Sequence, residues 1–119
     1  MSISDFECVP NSSVVSWVNA GVAVVKQYPS RVFAEELRSH EGVLVVESSH
    51  GDPNNAIIYN ADGSPRVRLV NPCVAKGAVA FGDVYYVGSE LTVVAYGQGD
   101  MWACVFDEDG HLQRTYETR

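Results

Sequence analysis

Valine-rich apolar runs of four to six residues, cut at short intervals by Gly, Asn, Asp and Pro, set the rhythm of this chain. Val14, Val15, Trp17 and Val18 precede Asn19-Ala20-Gly21, and Val22, Val24 and Val25 follow. Two β-branched runs around a three-residue loop ending in Gly predict a hairpin. A helix over 12–27 competes, but it would place Gly21 among many valines in a helix interior, where both residue types are unfavourable. Further along, Val43–Glu47, Ala56–Tyr59, the alternating Arg66–Val70, Asp83–Val87, Leu91–Tyr96, Met101–Phe106 and Leu112–Tyr116 predict strands separated by turn residues. The segment 72–79 reads as irregular. One helix is expected at most, near 31–39: Ser30 can cap it, Val32, Phe33 and Leu37 share a face, and Gly42 follows. Nine residues make a marginal helix, and an extended edge segment is the alternative.

The fold class predicted is therefore mainly β: an antiparallel meander of hairpins in an open twisted sheet or a two-sheet sandwich. At 119 residues the chain suits one domain, 1–119.

The second half repeats the middle. Ile58-Tyr59-Asn60-Ala61-Asp62-Gly63 aligns with Val105-Phe106-Asp107-Glu108-Asp109-Gly110, and Val45-Val46 with Val93-Val94 upstream. The shared pattern is an apolar strand, a Gly-Asp turn, an apolar-aromatic strand and an Asx-x-Asp-Gly turn. Over 43–70 and 90–116 each unit resembles the blade repeats of β-propeller proteins. That resemblance implies two blade-like units after an N-terminal hairpin, too few to close a ring, with edges that need protection or a partner.

Composition narrows the function classes. The net charge is −7, with 46% hydrophobic and 19% charged residues, which describes a folded chain and speaks against nucleic acid or an anionic membrane as partner. The start lacks a basic segment followed by an apolar run, and no stretch reaches the length of a bilayer span, so a cytoplasmic location is expected. Cys8, Cys73 and Cys104 are an odd count without CxxC spacing, and reduced thiols are the expectation.

No catalytic signature is present. Asn60-x-Asp62-Gly63 and Asp107-x-Asp109-Gly110 place Gly at position 4, where a calcium loop of the EF-hand type needs it at position 6, so both read as turns. His40, His50 and His111 lack metal-ligand spacing. Cys104 alternates within a buried strand and reads as inert. There is neither a Gly-x-Ser-x-Gly elbow nor a phosphate-binding glycine loop. Catalytic, cofactor and metal residues are accordingly expected to be none, and the chain is expected not to be an enzyme.

Charge distribution carries more. Residues 77–119 hold seven acids and two bases, while residues 1–76 hold eight and six. No base lies between Lys76 and Arg114, where Asp83, Glu90, Asp100, Asp107, Glu108 and Asp109 mix with aromatics including Tyr96 and Trp102. Those eight residues are the expected partner-binding set, an acidic rim for a basic protein. A small, acidic, β-rich chain with blade-like repeats resembles bacterial immunity proteins, which implies a non-catalytic binder of a toxin domain. A self-associating accessory domain, possible as a homodimer, and a small ligand-binding module or enzyme are the alternatives.

Overall fold

The computed structural model describes residues 2–118. Eleven strands run in chain order: β1 Ile3–Glu7, β2 Val14–Asn19, β3 Val22–Gln27, β4 Phe33–Glu36, β5 Gly42–Val46, β6 Ala56–Asn60, β7 Pro65–Arg68, β8 Ala78–Val87, β9 Glu90–Gly97, β10 Asp100–Phe106 and β11 Leu112–Thr118. A single 3-10 turn, Val74–Lys76, is the only helical element among the described residues. Every pairing is between neighbours in sequence and antiparallel. The result is three meanders: a first sheet β1-β2-β3, a middle sheet β4-β5-β6-β7 and a third sheet β8-β9-β10-β11.

The middle sheet is buried on both faces, as the unbroken burial of Gly42–Val46 requires. Alternation sorts its side chains. Val43, Val45 and Ile57 join Ile3, Val15 and Trp17 of the first sheet in one core. Leu44, Val46, Ala56 and Ile58 join Phe81, Val93, Trp102, Cys104 and Phe106 of the third sheet in another. The sheets are open and stack in the order of the chain, one layer more than a two-sheet sandwich.

The predicted repeat is visible in the two four-stranded sheets. At the β6–β7 turn Gly63 N donates to Asn60 O and Asn60 N donates to Ser64 O, at 2.9 and 2.8 Å. At the β10–β11 turn Gly110 N donates to Asp107 O and Asp107 N to His111 O, at 3.1 and 2.9 Å. Gly63 and Gly110 have φ of 90° and 84°, and a Cβ there would sit 2.7 Å from Val24 and Val67 respectively. Both turns demand glycine twice over, for backbone and for space. Each unit is larger than its sequence signature, gaining β4 and β8 in front.

One open alternative is decided and one element is larger than expected. At 31–39 the chain takes the extended edge segment, β4, whose residues pair with β5 from Phe33↔Val46 to Glu36↔Val43. A one-to-one ladder against the apolar β5 satisfies the backbone while burying Val32 and Leu37, which a two-turn helix with few internal bonds does not match. The N-terminal hairpin is a three-stranded sheet, because Ile3–Glu7 adds to β2 through a bulge between Ser4 and Glu7. Its turn is two residues, Ala20 and Gly21, both at positive φ (51° and 78°), as suits a tight hairpin.

No helix among the described residues is long and apolar enough to cross a membrane.

Candidate functional site

Strand direction fixes where the acids fall. β8 and β10 run one way and β9 and β11 the other, so the 88–89 and 107–110 turns share one end of the third sheet. Asp100 starts β10 at the opposite end. Seven residues of extended chain separate it from Asp107 by roughly 20 Å. The acidic stretch is thus split between an outer face, a rim and the far end.

The outer face of the third sheet comes from the residues that alternate with its core. Facing the middle sheet are Leu91, Val93, Ala95, Trp102, Cys104 and Phe106. The register places Tyr85↔Thr92↔Val105↔Arg114 in one outward row and Asp83↔Val94↔Ala103↔Tyr116 in the next. Tyr96 and Met101 form a third. In the first two rows the inner strands carry the smaller residues and the edge strands the larger ones, and Thr92, Val94, Ala103 and Val105 are buried. Tyr85, Tyr96, Met101 and Tyr116 remain 37–45% exposed.

Several contacts hold this face. Arg114 donates to Glu90 Oε1 at 2.6 Å and lies over Tyr116, its guanidinium carbon 5.7 Å from the ring centroid. The ring of Tyr96 covers Gly82, where a Cβ would come within 2.9 Å of it. Asp83 accepts from Val84 N at 2.8 Å. The face continues round the β8 edge into a groove of about 670 Å³ walled by Phe33, Glu47, Gly82, Asp83, Tyr96 and Met101.

The rim gathers turns from all three sheets. Glu108 accepts from Ser39 N at 3.2 Å and from Ser39 Oγ at 2.5 Å, tying the β10–β11 turn to the β4–β5 turn. Arg66 donates to the carbonyl oxygens of Glu108 and Glu41 and to Asn60 Oδ1. Arg38 donates to Gly88 O and lies over Tyr86, 4.4 Å from its ring centroid. Trp17 Nε1 donates to Ala61 O at 2.7 Å, bringing the first sheet to the same end. The hydrogen bond from His111 N, then those from the His111 ring and Asp109 N, holds the Asp107 carboxyl below its ordinary range. Bonds from Ser64 Oγ and N do the same for Asp62. Both stay ionised at neutral pH.

The eight expected partner residues therefore divide. Asp83, Glu90 and Tyr96 share the outer face. Asp107, Glu108 and Asp109 share the rim, with Glu108 engaged in a structural staple. Asp100 stands apart, and Trp102 is a core residue, 5% exposed. Sequence reading missed Tyr116, Met101 and Arg114 as members of the outer face. The signal lay in the alternation of β10 and β11, where Met101, Tyr116 and Arg114 occupy the phase opposite to the core.

Other candidate chemistry is not assembled. No group of three or more metal-ligating side chains occurs among the described residues. Cys73 and Cys104 are buried side by side, and burial, together with the neighbouring Cys73, pushes the Cys104 thiol up to about 12, which keeps it protonated. His40 pairs with Glu36 at 2.5 Å and His111 with Asp107 at 3.0 Å, both at the surface.

An all-antiparallel stack of three open sheets, with one tyrosine-rich outer face, is the class of architecture defined here. No family model and no curated protein matches the chain. Among solved structures, one chain from the structure of Tne2 in complex with Tni2 superimposes with a TM-score of 0.75. The match covers 92% of this chain and 79% of that one at 11% identity, a likeness of fold.

Proposed function

We propose that this chain is a non-catalytic binding protein that neutralises a basic protein partner, in the manner of an immunity protein blocking a bacterial toxin. The observation that carries the reading is the outer face of the third sheet. Tyr85, Tyr96, Met101 and Tyr116 offer rigid, amphipathic contact area of the kind that dominates protein interfaces. Asp83 and Glu90 border it, and the chain's charge of −7 adds long-range attraction for a cationic partner. Support also comes from the neighbour in fold, which was solved in a complex of two proteins.

The test is co-expression with the product of the adjacent gene and measurement of complex affinity. Tyr85→Ala with Tyr116→Ala is expected to weaken binding at least about 30-fold, as loss of central aromatic anchors does. Unchanged affinity contradicts the reading.

Self-association is a second reading, and one observation favours it. The outward side of the β2–β3 hairpin carries Val14, Ser16, Val18, Ala23, Val25 and Gln27 and no charge, with Glu7 of β1 beyond it opposite Ser16. A dimer by light scattering that Val25→Lys dissociates would support it, and a monomer at high concentration would exclude it.

A further inference from the structure

Three open sheets have six edge strands, and five of them carry devices that discourage further pairing. β1 is broken by its bulge at Asp5, which has a φ of 53°. β4 and β7 have four residues each, and β7 begins with Pro65. β8 is bulged twice, between Ala78 and Ala80 and between Phe81 and Asp83. β11 carries Arg114 and Glu117. β3 has neither bulge nor proline. Its six residues pair one-to-one with β2, from Val22↔Asn19 to Gln27↔Val14. Its single charge, Lys26, is turned inward, with Nζ 4.5 Å from the centroid of the Tyr59 ring.

The phase of the β2–β3 ladder determines what this edge offers. The two-residue turn Ala20-Gly21 makes Asn19↔Val22 a hydrogen-bonded pair, and alternation then directs the backbone groups of Val22, Val24 and Lys26 at β2. Tyr28 N, donating to Ser13 O at 2.9 Å, continues the same phase. The N–H and C=O groups of Ala23, Val25 and Gln27 therefore point away from β2. None of them has a hydrogen-bond partner among the described residues. All three residues are exposed, Val25 by 61%. Spaced by two, they form an unbroken template for one more strand.

We propose that the free edge of β3 is an interface for a second copy of this chain, paired antiparallel across a two-fold axis at Val25. In that register Val25 lies opposite Val25 of the second copy and Ala23 opposite its Gln27, and each such pair exchanges two backbone hydrogen bonds. Like charges do not oppose one another, because Lys26 falls opposite Val24 of the second copy. The two three-stranded sheets become one continuous sheet. Charge selects a second copy over a basic protein. From Cys8 to Ser30 the chain holds no acid and one base, in a chain of net charge −7. Repulsion between copies is therefore low at this strand, and a cationic protein gains little attraction there. The inference rests on the self-association reading above and gives it a strand, a register and a symmetry. It leaves the outer face of the third sheet, on the far side of the stack, open to another protein.

The experiment is light scattering of the intact chain from micromolar to millimolar concentration, with amide hydrogen exchange followed by NMR at both ends of the range. A concentration-dependent dimer is expected, in which exchange at Ala23, Val25 and Gln27 slows at least about ten-fold. Val25→Pro removes an N–H that the fold does not use, and proline is tolerated on an edge strand, so this variant should be a folded monomer. Val25→Thr, which keeps the backbone edge and a β-branched side chain, should keep the dimer. Should Val25→Pro not fold, the exchange pattern of the parent decides alone. A dimer whose three edge amides exchange as freely as in the monomer, or one that a folded Val25→Pro leaves intact, overturns the edge pairing and keeps self-association through the outward side. A monomer at millimolar concentration overturns both. Protection of these amides only in a complex with the adjacent gene's product assigns the edge to that protein and overturns the second copy.

Discussion

The side-chain amide of Asn55 pairs with both backbone groups of Phe81. Its Nδ2 donates to Phe81 O at 2.8 Å and its Oδ1 accepts from Phe81 N at 2.7 Å. The same Nδ2 donates to Glu47 O at 2.7 Å. Asn55 is 2% exposed, so one side chain acts as a rung between the middle sheet and the β8 edge of the third, next to the groove that adjoins the outer face.

Asn55→Ala takes the partner from two buried backbone groups of Phe81 and from the half-buried carbonyl of Glu47, and each buried loss costs about 1–3 kcal/mol. A drop in unfolding free energy of about 3 kcal/mol or more is expected by urea denaturation. Asn55→Asp should also destabilise, because a carboxylate cannot donate to Phe81 O or Glu47 O. A change below about 1 kcal/mol in both would deny the rung its role.

The matched turns make a second prediction. Gly63→Ala and Gly110→Ala meet both a positive φ and a side chain at 2.7 Å, whereas Gly99 (φ 80°) has open space around it. The first two should each cost about 2 kcal/mol or more, and Gly99→Ala about 1 kcal/mol, the backbone strain alone. Equal costs at all three would mean that the packing against Val24 and Val67 gives way freely.

Trp102 and Tyr116 separate core from face. Trp102→Ala removes a buried indole from the core shared with the middle sheet and should cost about 3–5 kcal/mol of stability. Tyr116→Ala, at a 41% exposed position, should stay within about 1 kcal/mol of the parent while weakening partner binding. Thermal unfolding and affinity measured on the same two variants check both halves.

These contrasts mark what the sequence carries and what it lacks. The Asx-x-Asp-Gly turns were legible because turn chemistry is local: the backbone of Gly63 and Gly110 needs the residue that stands there. The strands from Gly42 onward were legible from alternation and β-branched content. Phe33–Glu36 was not, because Phe-Ala-Glu-Glu suits a helix as well, and only β5 alongside decides. Ile3–Glu7 was hidden by Asp5, at φ 53° in a bulge that breaks the alternation. The acids were legible as a group, but their division between face, rim and far end depends on strand direction, which composition does not contain. Asn55 leaves no pattern at all, since it matters through Phe81, far along the chain.

Glu35 gives a pH-dependent prediction. Burial, the largest influence, raises its carboxyl above the ordinary range, with Asp83 and Glu36 adding to it and Arg38 opposing. A raised acid pKa means that the folded state resists ionisation. The penalty is absent below about pH 4, where the unfolded carboxyl is protonated too, and grows as pH rises to the folded value. Glu35→Gln is therefore expected to raise the melting temperature at pH 7 and to leave it unchanged near pH 3.5. A variant less stable at pH 7 would contradict this.

The most direct test of the central claim is the dissociation constant of the complex with the adjacent gene's product, for the parent and for Asp83→Lys/Tyr116→Ala. The expected result is at least about 100-fold weaker binding at unchanged fold, with a slower association rate from the reversed charge and faster dissociation from the lost ring. An unchanged constant at physiological salt, in a variant with the parent's melting temperature, would place the binding surface elsewhere.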